Sequence, residues 1–200
     1  MSDHSITITD LRITPVAIAD PPIRSSYGLH QPYALRTIVE LVSGDGVIGV
    51  SETYGGEEPM KALEALREQI IGADPYRLTG TLSFLVQGRE YEGDASQTYL
   101  VPGENPLDAT SRTYAAIETG CLDLIGKSVG VPVCDLIGGR VRDKVPFSAY
   151  PFYKHAGGGG EGEDARPDKY GECLTPETLV GQVVKMREEY GFESIKFKAG

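Results

Sequence analysis

Lys196 and Lys198 stand one residue apart in Ile195-Lys196-Phe197-Lys198, a short apolar stretch of strand type. Successive strand side chains point to opposite faces, so the lysines share one face while Ile195 and Phe197 share the other. Two ammonium groups held close together disfavour each other's protonation, and partial burial adds to this. A lysine so placed becomes a base near neutral pH. The structural alternative is a solvated edge strand whose lysines discourage pairing with other edges. The surrounding elements have to decide between the two.

Ahead of the pair, Thr175-Pro176-Glu177 combines a cap, a first-turn proline and an acidic residue. It predicts a helix with an apolar stripe of Leu179, Val183, Met186 and Tyr190 that ends at Gly191. Val145 to Tyr150 reads as a short strand and Ser194 to Lys198 as the next. Strand, helix and strand in that order predict a parallel unit with a right-handed crossover, the start of an α/β sheet or barrel.

The first part of the chain reads differently. Ile6 to Ile18 alternates as a strand closed by Pro21-Pro22, and Arg36 to Val42 leads through Ser43-Gly44-Asp45-Gly46 into Val47 to Thr53, a hairpin with Asp-Gly at its turn. Helices are predicted over Pro59 to Ile71, stopped by Gly72, and over Pro106 to Val129, where Gly120 is a weak point. Two polar stretches, Gln87 to Asn105 and Lys154 to Glu172 with its run Gly157-Gly158-Gly159-Gly160, have the composition of lids, binding loops or linkers. No strand and Lys-Ser/Thr pair frame the glycines, so a phosphate-binding loop is excluded.

Two hundred residues suffice for a substantial core, and 40% hydrophobic with 24% charged residues is the balance of a soluble globular protein. The net charge of −10 argues against a nucleic-acid partner and against an anionic membrane surface. An acidic substrate would therefore need a local positive site. Cys121, Cys134 and Cys173 are odd in number and lack metal-type spacing, which predicts small buried hydrophobes in a reducing compartment. The start of the chain has no targeting pattern and no stretch has the length of a membrane span, so a cytoplasmic location is the expectation.

An antiparallel sheet with helices, then Val131-Pro132-Val133-Cys134-Asp135-Leu136-Ile137-Gly138-Gly139, then βα units and Lys196-Phe197-Lys198, resembles the enolase superfamily. Gly28-Leu29-His30-Gln31-Pro32-Tyr33-Ala34-Leu35-Arg36, Gln97-Thr98-Tyr99, Ala149-Tyr150-Pro151-Phe152-Tyr153 and Tyr190 to Lys198 narrow the likeness to its glucarate dehydratases. The resemblance covers nearly the whole chain. It implies an α/β plus α+β architecture: an N-terminal α+β capping domain over residues 1–140, then the first βα units of a modified TIM barrel over 141–200.

The implied activity is a hydro-lyase that takes D-glucarate, a sugar diacid, to 5-keto-4-deoxy-D-glucarate. Carried over residue by residue, Lys198 is the base that removes the C5 proton, and Lys196 supplies the charge that keeps it partly neutral. His30 contacts a substrate carboxylate, although a structural histidine stacked on Pro32 or Tyr33 is the alternative. Thr98 donates a hydroxyl or merely braces its loop, and Tyr150 points its phenol into the barrel mouth or packs. Arg36 is read as half of a surface ion pair, and neither His4 nor His155 receives a role.

The resemblance also implies Mg2+ as cofactor, with its ligands, the second base and the remaining strands beyond residue 200 and no metal site in this chain. The partner is a small diacid sugar, with neither nucleic acid nor membrane, and a homo-oligomer stays open. Because two barrel strands leave their faces uncovered, the expectation is the N-terminal part of a longer enzyme or an inactive fragment. The rival functions are another Lys-x-Lys enzyme, such as a galactarate dehydratase, a racemase or a cycloisomerase, and a non-catalytic homologue.

Overall fold

The computed structural model describes residues 6–25, 28–30, 32–83 and 106–197. They fall into two compact units, one formed by Met1–Val16 with Arg36–Arg140, the other by Ala17–Leu35 with Val141–Gly200. The elements in order are β1 (Ile8–Ala19), β2 (Ile23–Ser25), β3 (Gly28–His30), β4 (Tyr33–Ser43), β5 (Ile48–Tyr54), α1 (Glu57–Glu64), α2 (Arg67–Ile70), α3 (Leu78–Thr81), α4 (Pro106–Val129), α5 (Val133–Leu136), β6 (Ser148–Ala149), α6 (Pro176–Tyr190) and β7 (Ser194–Ile195).

In the first unit β1, β4 and β5 form a sheet in that order, and β4 pairs antiparallel with β5 from Arg36↔Tyr54 to Val42↔Ile48. The predicted hairpin is present, with Asp45-Gly46 in its turn. Alternation along β4 buries Thr37, Val39, Leu41 and Ser43. Helix α4 covers this face with Ile117, Cys121 and Leu124, which join Ile8, Leu11, Leu63 and Ile70 in one apolar core. Polar contacts register the helix on the edge strand: Ser51 Oγ donates to the Ala116 carbonyl at 2.6 Å, and the Val50 N–H donates to Asp123 Oδ2 at 2.7 Å. A carboxylate thus occupies an N–H that an open sheet edge would leave free. Arg36 pairs with Glu52 through two bonds of 3.2 and 2.7 Å, as the ion-pair reading expects.

The single helix expected over 59–71 is two, broken at Ala65 and Leu66. Tertiary contacts override the periodicity there. Arg67 donates to the Leu11 carbonyl at 2.7 Å and, beyond the break, the Gly72 N–H donates to the Ile8 carbonyl at 2.8 Å, which keeps Leu63, Leu66 and Ile70 all buried against β1.

In the second unit β6 and β7 pair in parallel, Ser148↔Ser194 and Ala149↔Ile195, with α6 between them in sequence. This is the expected strand–helix–strand unit. Both strands are shorter than expected, Ser148–Ala149 against Val145 to Tyr150 and Ser194–Ile195 against Ser194 to Lys198, because among the described residues each pairs only with the other, and Val145, Phe147 and Phe197 stay exposed. Helix α6 opens with a capping box in which the Thr178 N–H donates to Thr175 Oγ1 at 3.3 Å and the Thr175 N–H donates to Thr178 Oγ1 at 3.0 Å. Thr175→Ala is therefore expected to cost about 1 kcal/mol, read from the urea midpoint of the complete protein.

Candidate functional site

Two of the predicted site residues meet. Ala149 and Ile195 are paired, and the Lys196 N–H donates to the Ala149 carbonyl at 2.8 Å, so Tyr150 and Lys196 leave the same ends of adjacent parallel strands. Ala149 and Pro151 are buried while Tyr150 is exposed, the alternation of an extended backbone. The Lys196 ammonium lies 4.6 Å from the centroid of the Tyr150 ring, and Phe152 backs that ring at 4.5 Å. A tyrosine face attracts a cation through its quadrupole, which fixes the lysine head above the strand ends.

His30 is placed by its backbone. It closes β3 opposite Ile23, and Ile23 bridges in turn to Lys154, which follows Tyr150 by four residues. His30, Tyr150 and Lys196 thus all belong to the second unit. Thr98 and Lys198 lie outside the described residues.

The glycine-rich stretch is a packed seam. Gly159 bridges to Arg166, the Gly160 N–H donates to the Pro32 carbonyl at 2.8 Å, and the Glu161 N–H donates to Tyr33 Oη at 2.9 Å. A Cβ on Gly159 would fall 2.2 Å from the Asp20 nitrogen, so this backbone approach requires the missing side chain. Composition alone suits a linker equally well. The site's other unforeseen feature is a buried ion pair, Lys154 Nζ to Asp168 Oδ1 at 2.7 Å. No helical or strand periodicity joins residues that far apart in a polar run, so no sequence signal marks it.

Cys121 and Cys173 are buried and Cys134 half-buried, and all three are free thiols. Burial, helped by the charge of Glu118, pushes the Cys121 thiol up to about 12, so it acts as an inert apolar group. Among the described residues no three His, Cys, Asp or Glu side chains converge as a metal site, so the Mg2+ expectation has no ligands among them. No described helix is long and apolar enough to cross a membrane.

Residues 8–138 match the family model of the mandelate racemase / muconate lactonizing enzyme N-terminal domain. The chain is 36% identical to a probable glucarate dehydratase of Streptomyces coelicolor, over 98% of this chain and 46% of that protein. An enolase from Pseudomonas fluorescens Pf0-1, solved with magnesium, potassium and tartrate, superposes with a TM-score of 0.82 at 38% identity, covering 98% of this chain and 46% of that one. An enolase from Thermobispora bispora, solved with magnesium and formate, gives 0.81 at 40% identity over the same shares. The chain therefore spans about half the length of these relatives. The α+β sheet and helices of residues 8–138 are the superfamily's capping domain, and the chain belongs to the mandelate racemase / muconate lactonizing enzyme group of the enolase superfamily.

Proposed function

We propose that this chain is the capping domain and first barrel units of an acid-sugar dehydratase that converts D-glucarate to 5-keto-4-deoxy-D-glucarate. The observation that carries the reading is the Lys196 ammonium held over the Tyr150 ring at the ends of two parallel strands. In parallel barrels those ends are where catalytic groups stand. The likeness to a probable glucarate dehydratase over 98% of the chain supports the substrate. The magnesium in two of the solved relatives supports a Mg2+-dependent reaction.

The division of labour follows from charge. Lys198, two residues beyond Lys196 in the sequence, takes the C5 proton as a neutral amine. The electron pair left at C5 expels the C4 hydroxyl, which departs as water with a proton from a general acid, and the resulting enol becomes the 5-keto group. Lys196 stays a fixed positive charge that disfavours protonation of Lys198 and offsets the substrate carboxylate. His30 holds a substrate carboxylate, and the hydroxyls of Thr98 and Tyr150 donate hydrogen bonds to the substrate.

The complete protein, supplied with magnesium, is expected to form keto acid from D-glucarate. Turnover of galactarate but not D-glucarate would overturn the substrate assignment, and no turnover of any acid sugar would favour a non-catalytic homologue. Tyr150→Phe keeps the ring under Lys196 but removes the hydroxyl. A lost hydrogen bond to a charged group is worth roughly 2 kcal/mol, so KM is expected to rise about thirtyfold with little change in kcat. An unchanged KM would show that the phenol only packs.

A further inference from the structure

Lys154 and Asp168 form a charge pair that the proposed chemistry does not use. Their side chains are 5% and 7% exposed, and Lys154 Nζ donates to Asp168 Oδ1 at 2.7 Å while standing 5.3 Å from the centre of the Tyr170 ring. The same oxygen accepts from the Tyr170 N–H at 3.2 Å, and Oδ2 is buried with no hydrogen-bond partner. Removing two charges from water costs several kcal/mol per ion, and an apolar pair of similar bulk is often as stable. Net stability alone does not account for such a pair.

The backbone shows what it holds. The Arg24 N–H donates to the Tyr153 carbonyl at 2.7 Å and the His155 N–H to the Pro22 carbonyl at 3.1 Å, which lays residues 153–155 along β2. On the other side the Lys154 and Cys173 N–H groups each donate to the other's carbonyl, at 2.8 and 2.9 Å. With Ile23 paired to His30, the backbone positions His30, Ile23, Lys154 and Cys173 form one row across four neighbouring segments. These segments are very short, β2 and β3 having three residues each, so hydrophobic patterning specifies their register weakly. A buried ion pair specifies it strongly, because a one-residue slip leaves both charges buried and unmatched.

We propose that Lys154 is a positioning residue: its buried pair with Asp168 sets the register of the row that ends at His30, and so where His30 meets the substrate carboxylate. The inference rests on the dehydratase reading for its functional half. Single removals leave a lone buried charge, so the informative variant of the complete enzyme is Lys154→Met/Asp168→Leu, which removes both charges and keeps bulk.

Its melting temperature is expected to stay near that of the wild type. Its KM for D-glucarate is expected to rise about tenfold with kcat nearly unchanged, the pattern of lost uniform binding. Amide exchange at Arg24 and His155 is expected to quicken about tenfold while β4 and β5 keep their protection. Wild-type exchange at those two amides overturns the proposal, and so does a wild-type KM, since a merely stabilising pair recovers both once the double variant folds. Should the double variant unfold, Lys154→Arg, which keeps the charge but moves its donors, is read by the same two measurements. An inactive wild type would overturn the substrate reading instead, and amide exchange alone then decides the part played by the pair.

Discussion

Lys198→Ala in the complete enzyme is expected to lower kcat on D-glucarate by about 10³-fold or more while leaving the melting temperature unchanged, near the upper range for removal of a general base. The expectation rests on the proposed role of Lys198 and on what is seen of its neighbour: Lys196 is held just past β7 by its N–H bond to the Ala149 carbonyl and by the Tyr150 ring. Lys198→Arg is expected to be as inactive as alanine, because a guanidinium keeps the charge and cannot give up its proton.

Lys196→Met separates the two roles. On the proposed roles the charge of Lys196 disfavours protonation of Lys198, so its removal is expected to move the rising limb of kcat/KM to higher pH. Normal turnover by Lys198→Ala would remove it as the base. An unmoved limb in Lys196→Met would remove the electrostatic coupling but leave the base in place.

The strand–helix–strand order around α6 was legible from the apolar alternation on either side and from the cap at Thr175, but the contact of Tyr150 with Lys196 was not, and both strands end earlier than their alternation suggests. The hairpin was legible from Asp45-Gly46, and the span of α4 from Pro106 and the apolar spacing after it. What escaped depends on contacts between distant segments. The break at Ala65 answers to the Leu11 carbonyl, more than fifty residues away, which no local window contains. The row that leads to His30 runs from Ile23 to Lys154 and from Lys154 to Cys173 by single bridges too brief to leave an alternating pattern. The glycine run was ambiguous for a different reason: a seam of backbone against backbone uses the same residue that makes a linker floppy, and only the neighbour at Asp20 tells them apart.

Gly49→Ala is expected to destabilise the first unit by at least about 3 kcal/mol, since a methyl group forced between immovable backbones exceeds ordinary overpacking. Its Cβ would lie 2.1 Å from the Gly120 carbonyl oxygen and 2.7 Å from the Leu124 nitrogen, so β5 and α4 must separate. Separation loosens the Ser51 and Asp123 bonds to the opposite element and opens the core around Leu41 and Leu124. The glycine that looked like a weak point in the helix is thus where strand and helix come closest.

The two glycines are not equivalent at that crossing. A Cβ on Gly120 meets side-chain atoms alone, Leu41 Cδ1 at 3.1 Å and Cγ at 3.4 Å and Ser51 Oγ at 3.6 Å, which a small side-chain adjustment can relieve. The helix gains about 1 kcal/mol of propensity from alanine there, so Gly120→Ala is expected to lie within about 1 kcal/mol of the wild type. Urea midpoints of the two variants of the complete protein make the comparison. Equal midpoints would mean that α4 slides freely on the sheet, and the close crossing would then not be what holds the capping domain together.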